Sequence, residues 1–250
     1  MDLNVRDRVA AVAGASKGLG RATALSLARE GCRVAICARG AEALAATAAE
    51  LAEIAGGQDR VLALQLDVVA EPERFVETVA ERFGGLHIIV PNAGGPPQGG
   101  ALDLDADAFR AAVEANCVAS IRMAQAAVPH MREAGWGRIC FITSSSVKHP
   151  VPSLALSNTA RSALVAFAKT MASEVAPDGI TVNAVLPGTH DTDRIRELGG
   201  GPAFTAGIPV GRLGRPEDFG DIVAFLCSEP ANFVTGTTVL VDGGRYPGLL

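Results

Sequence analysis

The chain has 250 residues, is 48% hydrophobic but only 4% aromatic, and carries a formal charge of −5. Its Lys and Arg are scattered, which excludes the basic stripe of a nucleic-acid-binding surface, and no apolar run reaches membrane-spanning length. The polar start Met1–Arg8 is no signal peptide, and five cysteines, Cys32, Cys37, Cys117, Cys140 and Cys227, lack the spacing of a zinc or redox site. A reduced, cytoplasmic protein with no metal and no nucleic-acid or membrane partner is therefore expected.

Short branched-apolar runs alternate with Ala/Leu-rich amphipathic stretches. The first strand is expected at Arg8–Ala13 and the first helix at Arg21–Glu30, closed by Gly31. A strand at Arg33–Cys37 and a helix at Ala41–Ile54 follow, then a strand at Val61–Leu66 and a helix at Glu73–Phe83, stopped by Gly84-Gly85. The second half continues with a strand at Leu86–Val90, a long helix at Asp105–Met131, a strand at Arg138–Thr143 and a helix at Ser153–Val175. A strand at Ile180–Leu186, a helix at Glu217–Ser228 and a strand at Thr238–Val241 complete the order. Such an order builds a parallel sheet covered on both faces, hence an α/β, doubly wound Rossmann fold of seven strands in a single domain spanning 1–250. The Gly- and Pro-rich stretch 187–216 has weak periodicity and reads as a substrate loop.

After the first strand comes Gly14-Ala15-Ser16-Lys17-Gly18-Leu19-Gly20, running into a helix. Glycines there permit a tight turn and let backbone N–H groups and the helix N-terminus approach a pyrophosphate. The same residues match the GxSxG elbow of a hydrolase, but only one strand precedes Ser16, too few to supply an oxyanion hole. At the end of the second strand, Cys37-Ala38-Arg39-Gly40 stands where an NAD-preferring site needs an acid. With no acid to repel a 2′-phosphate, and with Arg39 and Lys17 able to pair with it, NADP is the expected cofactor, ahead of NAD. The plain alternative is two solvated surface cations.

Further residues follow in order: Asp67-Val68, Asn92-Ala93-Gly94, Asn116, Ser144, and Pro187-Gly188 with Thr192. Together with the glycine turn they make the chain resemble the short-chain dehydrogenase/reductase family over nearly its whole length, Val9 to Gly244, in a form similar to 3-oxoacyl-acyl-carrier-protein reductases. The resemblance implies adenine contacts from Asp67 and Val68, a nicotinamide-side segment at Pro187, Gly188 and Thr192, and catalytic roles for Asn116 and Ser144. It also implies a homotetramer or dimer, with the two long helices as its contact, and a ketone or 3-oxoacyl-thioester substrate. Individually, Asp67 also reads as a helix cap and Asn92 as a turn residue.

The family pattern breaks at its proton donor. Its tyrosine falls thirteen residues after the serine, and its lysine four residues later, where this chain has Ser157 and Arg161, an SxxxR in place of YxxxK. A serine hydroxyl is a far weaker acid than a phenol, whose pKa is about 10. Arg161 keeps positive charge and donors for a ribose, but an arginine does not relay protons. His149 and His190 are substitute acids in segments expected to line the pocket, with Lys148 a third. The lone tyrosine, Tyr246, lies in a tail expected to be loosely held. Two functions are thus open: an oxidoreductase with altered proton delivery, or a catalytically degenerate NADP-binding sensor or partner.

Overall fold

The computed structural model describes residues 1–197, 199 and 202–249. Seven strands form one parallel sheet: β1 (Val9–Ala13), β2 (Arg33–Ala38), β3 (Val61–Gln65), β4 (Ile88–Val90), β5 (Gly137–Ile142), β6 (Ile180–Pro187) and β7 (Thr238–Val241). Their order is β3-β2-β1-β4-β5-β6-β7. The chain thus moves outward from β1 in one direction, then returns and continues from β4 in the other. A crevice opens where these directions diverge, outside the carboxyl ends of β1 and β4.

The strands are apolar on both faces because helices cover both. Val9, Ala11 and Ala13 of β1 pack toward α3 (Pro72–Phe83), α5 (Ala119–Ala134) and α6 (Ala155–Val175). Ala10 and Val12 face α1 (Gly18–Arg29), α2 (Ala41–Ala55) and α9 (Pro216–Leu226). Small residues let helices approach closely: a Cβ at Gly220 of α9 would lie 2.6 Å from the Ala22 carbonyl oxygen of α1. The five cysteine thiols are all free and buried within this packing, and burial pushes those of Cys32 and Cys37 up to about 12.

The expected strands and helices are present, with ends shifted by a few residues. One helix needs correction. The stretch read as continuous from Asp105 to Met131 is α4 (Ala106–Val113), a π-helical turn (Glu114–Val118) and α5. The extra residue in that turn rotates Asn116 inward, where it is 3% exposed. The segment 187–216 holds two short helices, α7 (Asp193–Glu197) and α8 (Pro202–Thr205), while its Leu198, Gly200 and Gly201 lie outside the described residues. No helix among the described residues is long and apolar enough to cross a membrane.

At the end of the sheet opposite the crevice, two guanidinium groups sandwich an indole. Arg8 Cζ lies 4.3 Å and Arg138 Cζ 4.0 Å from the Trp136 ring centroid, and Trp136 Nε1–H donates to Glu229 at 2.6 Å. His87 sits beside them, its Nδ1 accepting the Val9 N–H at 3.2 Å. Burial, and then the charges of Arg8 and Arg33, push the His87 imidazole down to about 4. The folded state therefore binds fewer protons than the unfolded chain between the ordinary histidine value, about 6.5, and 4. The stability this contributes is complete above about pH 6.5 and is lost as pH falls toward 4, a loss on the order of 2 kcal/mol allowing for partial solvent screening. Urea unfolding at pH 7 and pH 5 is expected to show a smaller drop in midpoint for His87→Asn, whose amide oxygen accepts from Val9 without titrating. An equal drop in both proteins would remove His87 from this role.

Candidate active site

The glycine turn between β1 and α1 is held from three sides. Asn92 Nδ2 donates to the carbonyls of Ala13 at 3.2 Å and Gly14 at 3.1 Å, and Thr47 of α2 donates its hydroxyl to Ser16 O at 3.0 Å. Gly14 has φ of +58°, and a Cβ there would stand 2.8 Å from Asn92 O. At Gly20 a Cβ would stand 2.5 Å from Gly14 O. Glycine is thus required for the turn to close on Asn92. The N-terminus of α1 has no side-chain cap, so its first amides remain available to an anion.

A cavity of about 1380 Å³ fills the crevice. It brings together Gly14, Ser16, Lys17, Gly18, Leu19, Arg39, Asp67, Val68, Asn92, Ala93, Gly94, Asn116, Ser144, His149, Ser157, Arg161, Pro187, Gly188, His190 and Thr192. Of the expected site residues only Gly20 and Lys148 do not line it, Gly20 acting from behind the turn. At one end, Arg39 is exposed, with no acidic partner among the described residues. Lys17 pairs with Glu197 of α7 at 3.5 Å, a solvent-exposed contact of little energetic weight. Asp67 Oδ1 accepts the Val69 N–H at 3.0 Å and so also shapes its own turn.

The other end is organised around Arg161. This guanidinium projects from α6 beneath the cavity and is 7% exposed. Its Nη1 donates to Ile142 O at 3.0 Å and Thr143 O at 3.1 Å, and its Nη2 to Asn116 Oδ1 at 3.1 Å and Ala93 O at 3.4 Å. No carboxylate is among these partners. Burial pulls the group down to about 10, well above neutrality, so it remains a cation. Its four hydrogen bonds all go to protein acceptors.

Ser157, one helical turn before Arg161, is 7% exposed, and its hydroxyl has no protein partner among the described residues. Ser144 Oγ accepts the Ser146 N–H at 3.1 Å, which leaves its own O–H directed by whatever occupies the cavity. The two histidines separate. His149 is exposed at the mouth, with its ring edge-on to Tyr246 at 6.5 Å. His190 is 4% exposed, packs edge-on to Phe219 at 5.3 Å, and has Nδ1 3.2 Å from Gly188 O. Burial pushes its pKa down, against an opposing hydrogen bond to Gly188 O.

Sequence reasoning missed Arg245 and undervalued Tyr246. The tail is tied down: Asp242 accepts the N–H of Gly244 at 2.9 Å and of Tyr246 at 2.8 Å, and Arg245 Nη1 donates to Thr189 Oγ1 at 3.1 Å. Both residues line the cavity. The sequence hid this, because a terminal Gly-Gly-Arg-Tyr carries no periodic signal.

Known proteins match this arrangement along the chain. The family described as Enoyl-(Acyl carrier protein) reductase matches residues 14–245. Dehydrogenase/reductase SDR family member 4 of Sus scrofa is 33% identical over 96% of this chain and 88% of its own. The chain belongs to the short-chain dehydrogenase/reductase family. A 3-oxoacyl-[acyl-carrier-protein] reductase of Escherichia coli is 34% identical over 98% of this chain and 99% of its own. The structure of L-sorbose reductase from Gluconobacter frateurii, complexed with NADPH and L-sorbose, superposes with a TM-score of 0.92 at 32% identity, covering 100% of both chains.

Removing the Arg161 guanidinium takes a donor from four acceptors, three of them buried. Arg161→Met is therefore expected to lower stability by about 3 kcal/mol, and Arg161→Lys by less, read from urea midpoints. Unchanged midpoints would show that the guanidinium is not a structural tie.

Proposed function

We infer that the chain is an NADP(H)-dependent oxidoreductase that interconverts a ketone and an alcohol, of the 3-oxoacyl-thioester or a similar class, with altered proton delivery. The observation that carries this reading is the single cavity uniting an uncapped helix N-terminus and exposed Arg39 with Ser144 above a buried cation. The residues present fit the nucleotide. Gly14, Gly18 and the first amides of α1 would hold the pyrophosphate, while Asp67 and Val68 would meet the adenine. Arg39, joined by Lys17 on leaving Glu197, would bind the 2′-phosphate. Asn92, Ala93, Gly94, Pro187, Gly188 and Thr192 would flank the nicotinamide half. When bound, the nucleotide supplies the hydride.

The chain's own part is to orient the carbonyl and stabilise the oxyanion. Ser144 Oγ–H donates toward the carbonyl oxygen. Arg161, fixed below, places a permanent positive charge in a water-poor floor where negative charge develops. Its bonds to Ile142, Thr143, Ala93 and Asn116 also fix the strand ends and the π-helical turn, so Asn116 acts by positioning Arg161. Ser157 is too weak an acid to replace a phenol, and His149 at the mouth is the group left to return the proton. Loss of one general acid costs about 10²–10⁴-fold, which slows a reductase without abolishing it.

The partnerless Ser157 hydroxyl also favours a second reading, a degenerate nucleotide-binding protein acting as sensor or partner. Turnover of a broad carbonyl and alcohol panel, followed by nicotinamide absorbance, separates the two, and none with any substrate would oppose an enzyme. Arg39→Ala is expected to weaken NADPH binding about tenfold or more while leaving NADH unchanged; equal loss of both would remove Arg39 from cofactor selection. The assembly we infer is a homotetramer or dimer formed through α5 and α6, and a monomer by light scattering would oppose it.

A further inference from the structure

The corner of the cavity farthest in sequence from the glycine turn is built by the tail and the loop after β5. Arg245 and Tyr246 come from the tail, His149 from the loop, and Thr189 from the segment after β6. Arg245 is held there rather than waving in solvent. Its Nη1 donates to Thr189 Oγ1 at 3.1 Å, and the turn that carries it is closed by Asp242, which accepts the amides of Gly244 and Tyr246. That turn is itself anchored on the sheet and the substrate segment, with Gly188 N–H donating to Val241 O at 2.9 Å and Val210 N–H to Gly243 O at 3.2 Å.

No ion pair neutralises Arg245 among the described residues. The carboxylates lining the cavity are Asp67, Asp193 and Asp242, and each is engaged elsewhere. Asp67 takes the Val69 amide, Asp193 lies 3.3 Å from Arg196 Nη1, and Asp242 takes its two backbone amides. A chain with formal charge −5 thus presents an exposed guanidinium at the edge of this cavity, fixed at one nitrogen and with no carboxylate partner among the described residues. A planar guanidinium presented this way matches a carboxylate, whose two oxygens accept parallel N–H bonds.

We propose that the substrate is a ketone bearing its own carboxylate, and that Arg245 is the specificity-determining residue for that anion. The proposal rests on the oxidoreductase reading for the ketone but not for the anion. A neutral sugar or alkyl ketone would leave the guanidinium unpaired, whereas a carboxylate would set the direction from which the carbonyl meets Ser144.

The test is calorimetric titration with acetoacetate and with its methyl ester, a matched pair differing in charge, on protein with and without NADP⁺. Acetoacetate is expected to bind about tenfold or more tightly than the ester, in line with a charge-assisted hydrogen-bonded pair. Arg245→Gln is expected to bring the two to parity, and Arg245→Lys to keep part of the preference, with NADP⁺ affinity unchanged in both. Equal binding of the pair by the native protein, binding of neither, or equal weakening of both by Arg245→Gln would overturn the proposal. Failure of the native protein to bind NADP⁺ would count against the oxidoreductase reading alone, since the nucleotide-free titration still reads the anion site.

Discussion

A guanidinium removed from water must find acceptors for its N–H groups, and the site in this protein is arranged around that requirement. Arg161 meets it with two carbonyls at the end of β5, one after β4 and the Asn116 side chain. Those contacts join neighbouring strands to the π-helical turn between α4 and α5, so the floor of the cavity is one bonded unit. It is from this π-helical turn that Asn116 presents its Oδ1 to Arg161. Burial pulls Arg161 down to about 10, yet the group stays charged at neutral pH, a source of positive potential lining the cavity.

The nucleotide end depends on a different constraint, close approach of backbone. Asn92 ties the end of β4 to the turn after β1 across the point where the sheet order diverges, and Gly14 and Gly20 keep that joint free of side chains. Arg161 reaches this half at one point, the Ala93 carbonyl, while the glycine turn is held by Asn92 and Thr47.

Much of the fold was legible because each signal was local. Short continuous branched-apolar runs and glycine stops placed the strands and helices, and β7 emerged at its predicted residues, Thr238–Val241. Most residues expected at the site were legible as an ordered set at strand ends that lines one cavity. The π-helical turn was not, since its sequence Glu-Ala-Asn-Cys-Val suits an α-helix and its Asn116 contact with Arg161 is long-range. The fates of His149 and His190 were equally hidden. Both lie in loops, and it is packing against Phe219 and Gly214 that buries one and leaves the other at the mouth. The ordered tail was misjudged because Asp242, which closes its turn, reads in sequence as one more surface acid.

The central claim is that Arg161 serves as a fixed cationic floor and not as a ribose ligand. A crystal structure of the protein with NADPH tests it most directly. The account predicts that the guanidinium keeps its bonds to Ile142 O, Thr143 O and Asn116 Oδ1 with the nucleotide in place. A guanidinium that has left those carbonyls to bond the nicotinamide ribose would contradict it.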